Sequence, residues 1–322
     1  MNVLVTGGAG YIGSTLVPLL LKSGQSVRVL DNLSFGGRSL LGVWPMENFE
    51  LVRGDIRESE VLDRALDGIE AVVHLAAIVG DPACARDPIL AKAVNLNASL
   101  ALIDASRKAG VKRFIFGSTC SNYGKMKDTS VLASEASALA PVSLYAEAKV
   151  AVELSLLKSA GGPGWSPTCL RFATVYGVSP RMRFDLTVNE FTMEMVANKK
   201  LVVFGEQFWR PYVHVSDVAR AISLVLTSPE KKVAGVVFNV GDTDQNFQKE
   251  TLVNLIRPFA PDARVEFVHK NEDPRDYRVS FAAIRDQLGY RATRTVPDGI
   301  AEVAALVRDR VLDNFTSNEY RN

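Results

Sequence analysis

Residues 1–13 read MNVLVTGGAGYIG, an apolar run closed by glycines at 7, 10 and 13, and this stretch decides the fold. Val3 to Thr6 has the make-up of a short buried strand, and Tyr11 to Lys22 carries a helical repeat. In a strand that turns through glycines straight into a helix, each glycine has its own task. The first permits the tight turn, the second lets a ligand approach the backbone, and the third lets helix and strand pack closely. The helix start then offers N–H groups and the positive end of its dipole to a pyrophosphate. A second apolar run, Val27 to Leu30, ends in Asp31. A carboxylate there accepts hydrogen bonds from the adenosine ribose hydroxyls and repels a 2′-phosphate, so NAD is expected rather than NADP.

Further apolar runs follow at Phe49–Val52, Ala71–Leu75, Arg113–Phe116 and Thr168–Phe172. They alternate with helical stretches, one expected unbroken from about Pro88 to Ala109 and another from Leu144 to Ser159. Strands that alternate with helices and lack period-2 polarity form a parallel sheet covered on both faces. The expectation is an α/β, Rossmann-type doubly wound parallel sheet with a smaller C-terminal substrate-binding lobe. Residues 1–174 would form the NAD-binding domain, with a returning segment at about 209–240. Residues 175–208 and 241–322 would form the lobe, and the polar run Asn314–Asn322 would fray.

Composition narrows the partners. Of 322 residues 47% are hydrophobic and 23% charged, and 37 basic residues against 36 acidic give a net charge of +1. That balance offers no field for nucleic acid or an anionic membrane surface, so an anionic ligand needs a local cation cluster. Cys84, Cys120 and Cys169 are scattered, without metal spacing, and no metal is expected. The opening residues lack a basic n-region, and no apolar run nears the ~20 residues of a membrane span. A cytoplasmic protein is expected.

Tyr145-Ala-Glu-Ala-Lys149 opens the later helix. Spacing of i, i+4 sets phenol and ammonium on one face. A tyrosine works as a base only when its phenolate is stabilised, and an ammonium and a cationic nicotinamide both do that. Alone, this spacing is common; after the fifth strand of a glycine-marked sheet it points to a catalytic pair.

Together these residues resemble the extended short-chain dehydrogenase/reductase family, the sugar-nucleotide epimerases and dehydratases, over nearly the whole chain. TGGAGYIG at 6–13 is similar to the family's TGxxGxxG, and Gly54-Asp55-Ile56 to its adenine-contacting turn. His74-Leu75-Ala76-Ala77 matches HLAA beside the cofactor, and Asn95 falls at a structural asparagine near the nicotinamide half. GSTCSNYG at 117–124 matches the serine/threonine segment and puts Thr119 at the catalytic hydroxyl position. LRFATVYG at 170–177 matches LRxxNVYG, RPYVHVSDVA from Arg210 matches RDFxxVxDVA, and Arg275 falls near a late arginine that grips the nucleotide diphosphate. The resemblance implies a catalytic set of Thr119, Tyr145 and Lys149. It implies cofactor contacts from Gly7, Gly10, Tyr11, Ile12, Gly13, Asp31, Asn32, Asp55, Ile56, Leu75, Ala76, Ala77 and Asn95, together with Tyr145 and Lys149. Substrate contacts would come from Thr119, Thr174, Arg181, Arg183, Asn189, Arg210 and Arg275.

Departures from the family pattern carry information. Its 4,6-dehydratases place Asp-Glu directly after the catalytic threonine, where this chain has Cys120 and Ser121. The usual asparagine of NVYG is Thr174. TCSNYG, SPRMR and DLTVNEF look most like a branch handling unusual bacterial nucleotide sugars, including GDP-heptose 4-dehydrogenases. The implied reaction is NAD-dependent oxidation of a hydroxyl, at C4, of a nucleotide-diphosphate sugar, leading to epimerisation. A net 4-dehydrogenase or 4-ketoreductase is the first rival; a non-catalytic NAD sensor or scaffold is a rival of another class. A homodimer is expected.

Overall fold

The computed structural model describes residues 1–126, 128–162, 164–270 and 275–322. Seven parallel strands form the central sheet: β1 (Asn2–Thr6), β2 (Ser26–Asp31), β3 (Phe49–Arg53), β4 (Ala71–His74), β5 (Arg113–Thr119), β6 (Ser166–Phe172) and β10 (Val236–Val240). Their order across the sheet is β10-β6-β5-β4-β1-β2-β3. Chain direction across the sheet therefore reverses between β1 and β4. A crevice for a dinucleotide opens at such a point, beyond the strands' carboxyl ends. The doubly wound expectation holds.

The absence of alternating polarity has the cause inferred from sequence. Every residue of β4 and β6 is buried, because helices cover both faces. Leu16, Leu20, Ile222 and Val225 pack on one side; Leu62, Leu102, Phe114 and Leu156 pack on the other. Burying each such side chain contributes about 1.5–3 kcal/mol.

Three details depart from the sequence reading. The stretch Pro88–Ala109 is helical but not one α-helix. It runs Pro88–Lys92, then a π-helical turn Ala93–Ala98, then Ser99–Lys108. Within the wide turn Asn95 engages the backbone of Ile78, accepting its N–H at 2.8 Å and donating to its carbonyl at 2.9 Å. Second, the stretch 209–240 divides. β10 joins the central sheet beside β6, whereas β9 (Trp209–His214) lies in a second sheet between β7 (Thr174–Tyr176) and β11 (Asn246–Gln248). A third, two-stranded sheet pairs β8 (Lys200–Phe204) with β12 (Arg264–Val268). Phe184, Met195, Tyr212, Ile256 and Ile300 build a separate core around these sheets. Third, the run expected to fray is docked. Phe315 and Tyr320 meet the Phe184 ring edge-on at 5.4 and 5.8 Å between centroids, and Phe184 donates its N–H to the Tyr320 carbonyl at 2.9 Å. Two aromatic anchors in an otherwise polar run supply the docking energy. No helix among the described residues is long and apolar enough to cross a membrane.

Candidate active site

One cavity of about 1980 Å³ runs from the glycine turn across the carboxyl ends of the strands into the second core's territory. Pockets for one drug-sized ligand reach roughly 1,000 Å³, so this one has room for two.

At the dinucleotide end, Gly7 adopts φ +73°, and a Cβ there would sit 2.8 Å from the Ala76 nitrogen. A Cβ on Gly13 would strike the Gly7 carbonyl oxygen. Both glycines are therefore demanded by backbone-to-backbone approach. Gly10, Tyr11 and Ile12 line the cavity where the first helix (Gly13–Lys22) starts, beside Leu75, Ala76 and Ala77. Asp31 accepts N–H bonds from Ala9 at 2.9 Å and Leu33 at 2.8 Å. Burial pushes its pKa up; the two N–H donors and Arg181 oppose that rise. Asn32, Asp55 and Ile56 line the same end. The Arg57 guanidinium holds Asp55 below the usual carboxylate range, against a smaller opposing effect of burial. These features fit NAD: a shaved backbone cradle at a helix start for the diphosphate, and a fixed carboxylate for the ribose.

Two expected contacts lie behind the wall instead of in it. Asn95 is buried and bonds both backbone groups of Ile78. Asn189 is fully buried. Its Oδ1 accepts the Gly177 N–H at 2.9 Å, and its Nδ2 donates to the Arg183 carbonyl at 2.9 Å and the Tyr11 hydroxyl at 3.2 Å. Its amide is committed to holding the loop after β7, which corrects the expectation that it meets substrate.

The catalytic candidates converge where β5 ends. Thr119 is its last residue, and its hydroxyl donates to Ser121 Oγ at 3.0 Å. Tyr145 sits in the first turn of the helix Leu144–Lys158, whose start is capped by Ser143 Oγ accepting from the Ala146 N–H at 3.3 Å. Lys149 is buried and donates to the Gly117 carbonyl at 2.8 Å, with Nζ 5.7 Å from the Tyr145 ring centre. Burial lowers the Lys149 pKa to about 8, opposed by the Glu153 charge. Burial pushes the Tyr145 phenol up, and Arg183 is the first charge opposing it. Sequence assigned that role to Lys149; the charge that opposes the rise here is Arg183, from the loop after β7.

Beneath Thr119 lies a buried polar cluster. Glu153 receives the hydroxyl of Ser118, the amide of Asn122 at 2.8 Å and a forked Arg171 guanidinium at 2.7–3.2 Å. Arg171 also donates to the Tyr123 hydroxyl at 3.0 Å. The cluster ties the end of β5, β6 and the helix Leu144–Lys158 together.

At the far end, Thr174, Arg183, Arg210 and Arg275 line the same cavity as Tyr145. Arg210 lies 5.5 Å over the Tyr277 ring, and Arg275 pairs with Asp81 at 3.0 Å. Arg183 is forked onto Asp185 at 2.8–2.9 Å. Arg181 goes elsewhere than expected: it lies 4.0 Å over the Phe35 ring, at the Asp31 end. Sequence reasoning missed Phe35, Asp81, Ser121, Asp185 and Tyr277. Phe35 alone carried a local signal, a large apolar residue in the glycine-rich loop after β2.

The comparisons with known proteins agree with this geometry. The NAD dependent epimerase/dehydratase family matches residues 3–241. A dTDP-glucose 4,6-dehydratase of Actinoplanes sp. is 32% identical, covering 96% of this chain and 98% of the relative. A UDP-glucose 4-epimerase of Thermotoga maritima, solved with UDP-glucose, is 30% identical with a TM-score of 0.85, covering 97% of this chain and all of that one (100%). The Thermus thermophilus UDP-glucose 4-epimerase, solved with NAD, is 29% identical with a TM-score of 0.83, covering 96% and 99%.

Proposed function

We propose, from the premise that this chain belongs to the NAD dependent epimerase/dehydratase family, that it oxidises the C4 hydroxyl of a nucleotide-diphosphate sugar and returns the hydride to the opposite face, giving the C4 epimer. Bound NAD supplies the hydride acceptor and donor. Tyr145 takes the hydroxyl proton and gives it back on reduction. Thr119, turning its hydroxyl from Ser121 Oγ, donates to the same oxygen and stabilises the charge that develops there. Lys149 would hold the nicotinamide ribose, and with Arg183 it lowers the cost of the phenolate. Arg210 and Arg275 would grip the sugar nucleotide's diphosphate, an anion that enters a cleft only where cationic donors replace its water.

The observation that carries the epimerase over the dehydratase is the pair after Thr119. Cys120 is fully buried with its thiol on the Arg171 carbonyl, and burial pushes that thiol far up. Ser121 meets the cavity as a neutral hydroxyl. Neither can protonate a C6 hydroxyl or take a C5 proton, so chemistry is confined to C4. The test is a panel of UDP-, dTDP- and GDP-sugars incubated in deuterated water and followed by NMR. A C4 epimer without deuterium at C3 or C5 is expected. A 4-keto-6-deoxy product, or deuterium at C5, would overturn the assignment, and accumulation of NADH with a keto-sugar would favour the net dehydrogenase.

A further inference from the structure

The loop after β7 is fastened to the dinucleotide cradle. Ser179 Oγ donates to the Tyr11 carbonyl at 2.6 Å, and the Arg181 N–H reaches Ser14 Oγ, in the first turn of the first helix, at 3.3 Å. The Arg181 side chain lines the cavity beside the loop after β2, where its charge acts on Asp31. It is 6% exposed, with one face against Phe35, and Nη2 donates to the Arg321 carbonyl at 3.1 Å. Its Nε finds no partner among the described residues. A buried guanidinium N–H left unpaired costs free energy that an anionic acceptor would recover. Burial and the neighbouring Arg183 lower the Arg181 pKa to about 10, with Asp185 and Asp31 only partly opposing.

Segment 315–322 holds this arrangement from outside. Besides the Arg321 carbonyl on Arg181, the Asn322 N–H donates to the Asp185 carboxylate at 3.1 Å, and Asp185 holds Arg183. Phe315 and Tyr320 pin the segment to Phe184, the residue directly after Arg183. Asn318, Arg321 and Asn322 line the cavity themselves.

We propose that Arg181 clamps the diphosphate of the dinucleotide beside the start of the first helix, and that segment 315–322 is the strap that keeps the clamp shut. The inference rests on a dinucleotide occupying the cleft between Gly10 and Tyr145, not on the identity of the sugar. Its consequence is a cofactor retained through turnover. That suits a reaction that returns its hydride, whereas a net dehydrogenase must release reduced cofactor every cycle.

The test measures bound NAD per chain after purification and the NAD dissociation rate on dilution. Arg181→Ala is expected to raise the dissociation rate about ten- to a hundredfold, the scale of one hydrogen bond to a charged group. It should weaken ADP-ribose while leaving adenosine binding unchanged, which a general loosening of the fold would not do. Phe315→Ala with Tyr320→Ala should move the rate in the same direction, and adding Arg181→Ala to that pair should change little further. If Arg181→Ala fails to fold, Arg181→Lys and Arg181→Gln carry the test, with Lys retaining more cofactor than Gln. Wild-type dissociation in the Arg181 variants, or equal losses for ADP-ribose and adenosine, would overturn the clamp. A wild-type protein that binds no NAD would instead refute the cofactor reading beneath it.

Discussion

Replacing Glu153 by Gln tests whether the buried cluster under Thr119 is the platform on which the site stands. Glu153 and Arg171 expose only 1% and 5% of their side chains, and the carboxylate receives Ser118, Asn122 and both faces of the Arg171 fork. Gln keeps the shape but removes the charge and turns an NH₂ toward groups that are themselves donors. Arg171 would then be a buried cation without a counter-charge, a situation that costs about 3–5 kcal/mol. At ~2 °C per kcal/mol for a large chain, the melting temperature should fall by on the order of 6–10 °C. Thermal unfolding followed by circular dichroism, with urea titration for the free energy, reads the effect. The paired variant Glu153→Leu with Arg171→Met removes both charges at similar volume and should recover most of the loss, because swapping a whole buried pair for apolar groups is often neutral. A Glu153→Gln protein that loses less than ~1 kcal/mol would refute the reasoning, as would a paired variant worse than the single one.

Three further outcomes are expected. Asp31→Ser should weaken NAD and relax discrimination against NADP, measured by titration with both cofactors; a wild-type chain that binds them equally would sink the assignment. Tyr145→Phe should keep NAD binding and lower turnover by roughly 10²–10⁴-fold, and near-normal turnover would remove Tyr145 as the base. His74 makes stability fall in acid. Its ring lies between Thr6 and Ser99, and burial lowers its pKa from 6.5 to about 3. Below pH 6.5 the unfolded chain binds a proton that the folded one refuses, so stability drops as pH falls through that window, by up to about 1.4 kcal/mol per unit. Urea titrations at pH 7 and 5 should show this slope reduced in His74→Gln; an unchanged slope would refute it.

The parts of this protein legible from sequence are those whose function is built within a few residues of chain. A glycine turn needs only its own backbone and the helix it opens, so Gly7, Gly10 and Gly13 declared the cradle and, with Asp31, the cofactor. Tyr145 and Lys149 share a helical face by spacing alone, and the doubly wound sheet follows from apolar runs alternating with helices. What only tertiary structure decided depends on which distant segments meet. Asn189 looks like a ligand-facing amide in sequence, yet it is spent on the Gly177 N–H, the Arg183 carbonyl and the Tyr11 hydroxyl. Arg181 and Arg183 are two residues apart and indistinguishable by composition, but in the loop bonded to Ser14 and Tyr11 one lies over Phe35 and the other is forked onto Asp185. The polar run after Asn314 has no periodicity to announce a docked segment, because Phe315 and Tyr320 gain their energy from a ring, Phe184, that lies far away in sequence. Local propensity writes turns and helices into neighbouring residues; the course of loops between them is set by long-range packing that no short window of sequence contains.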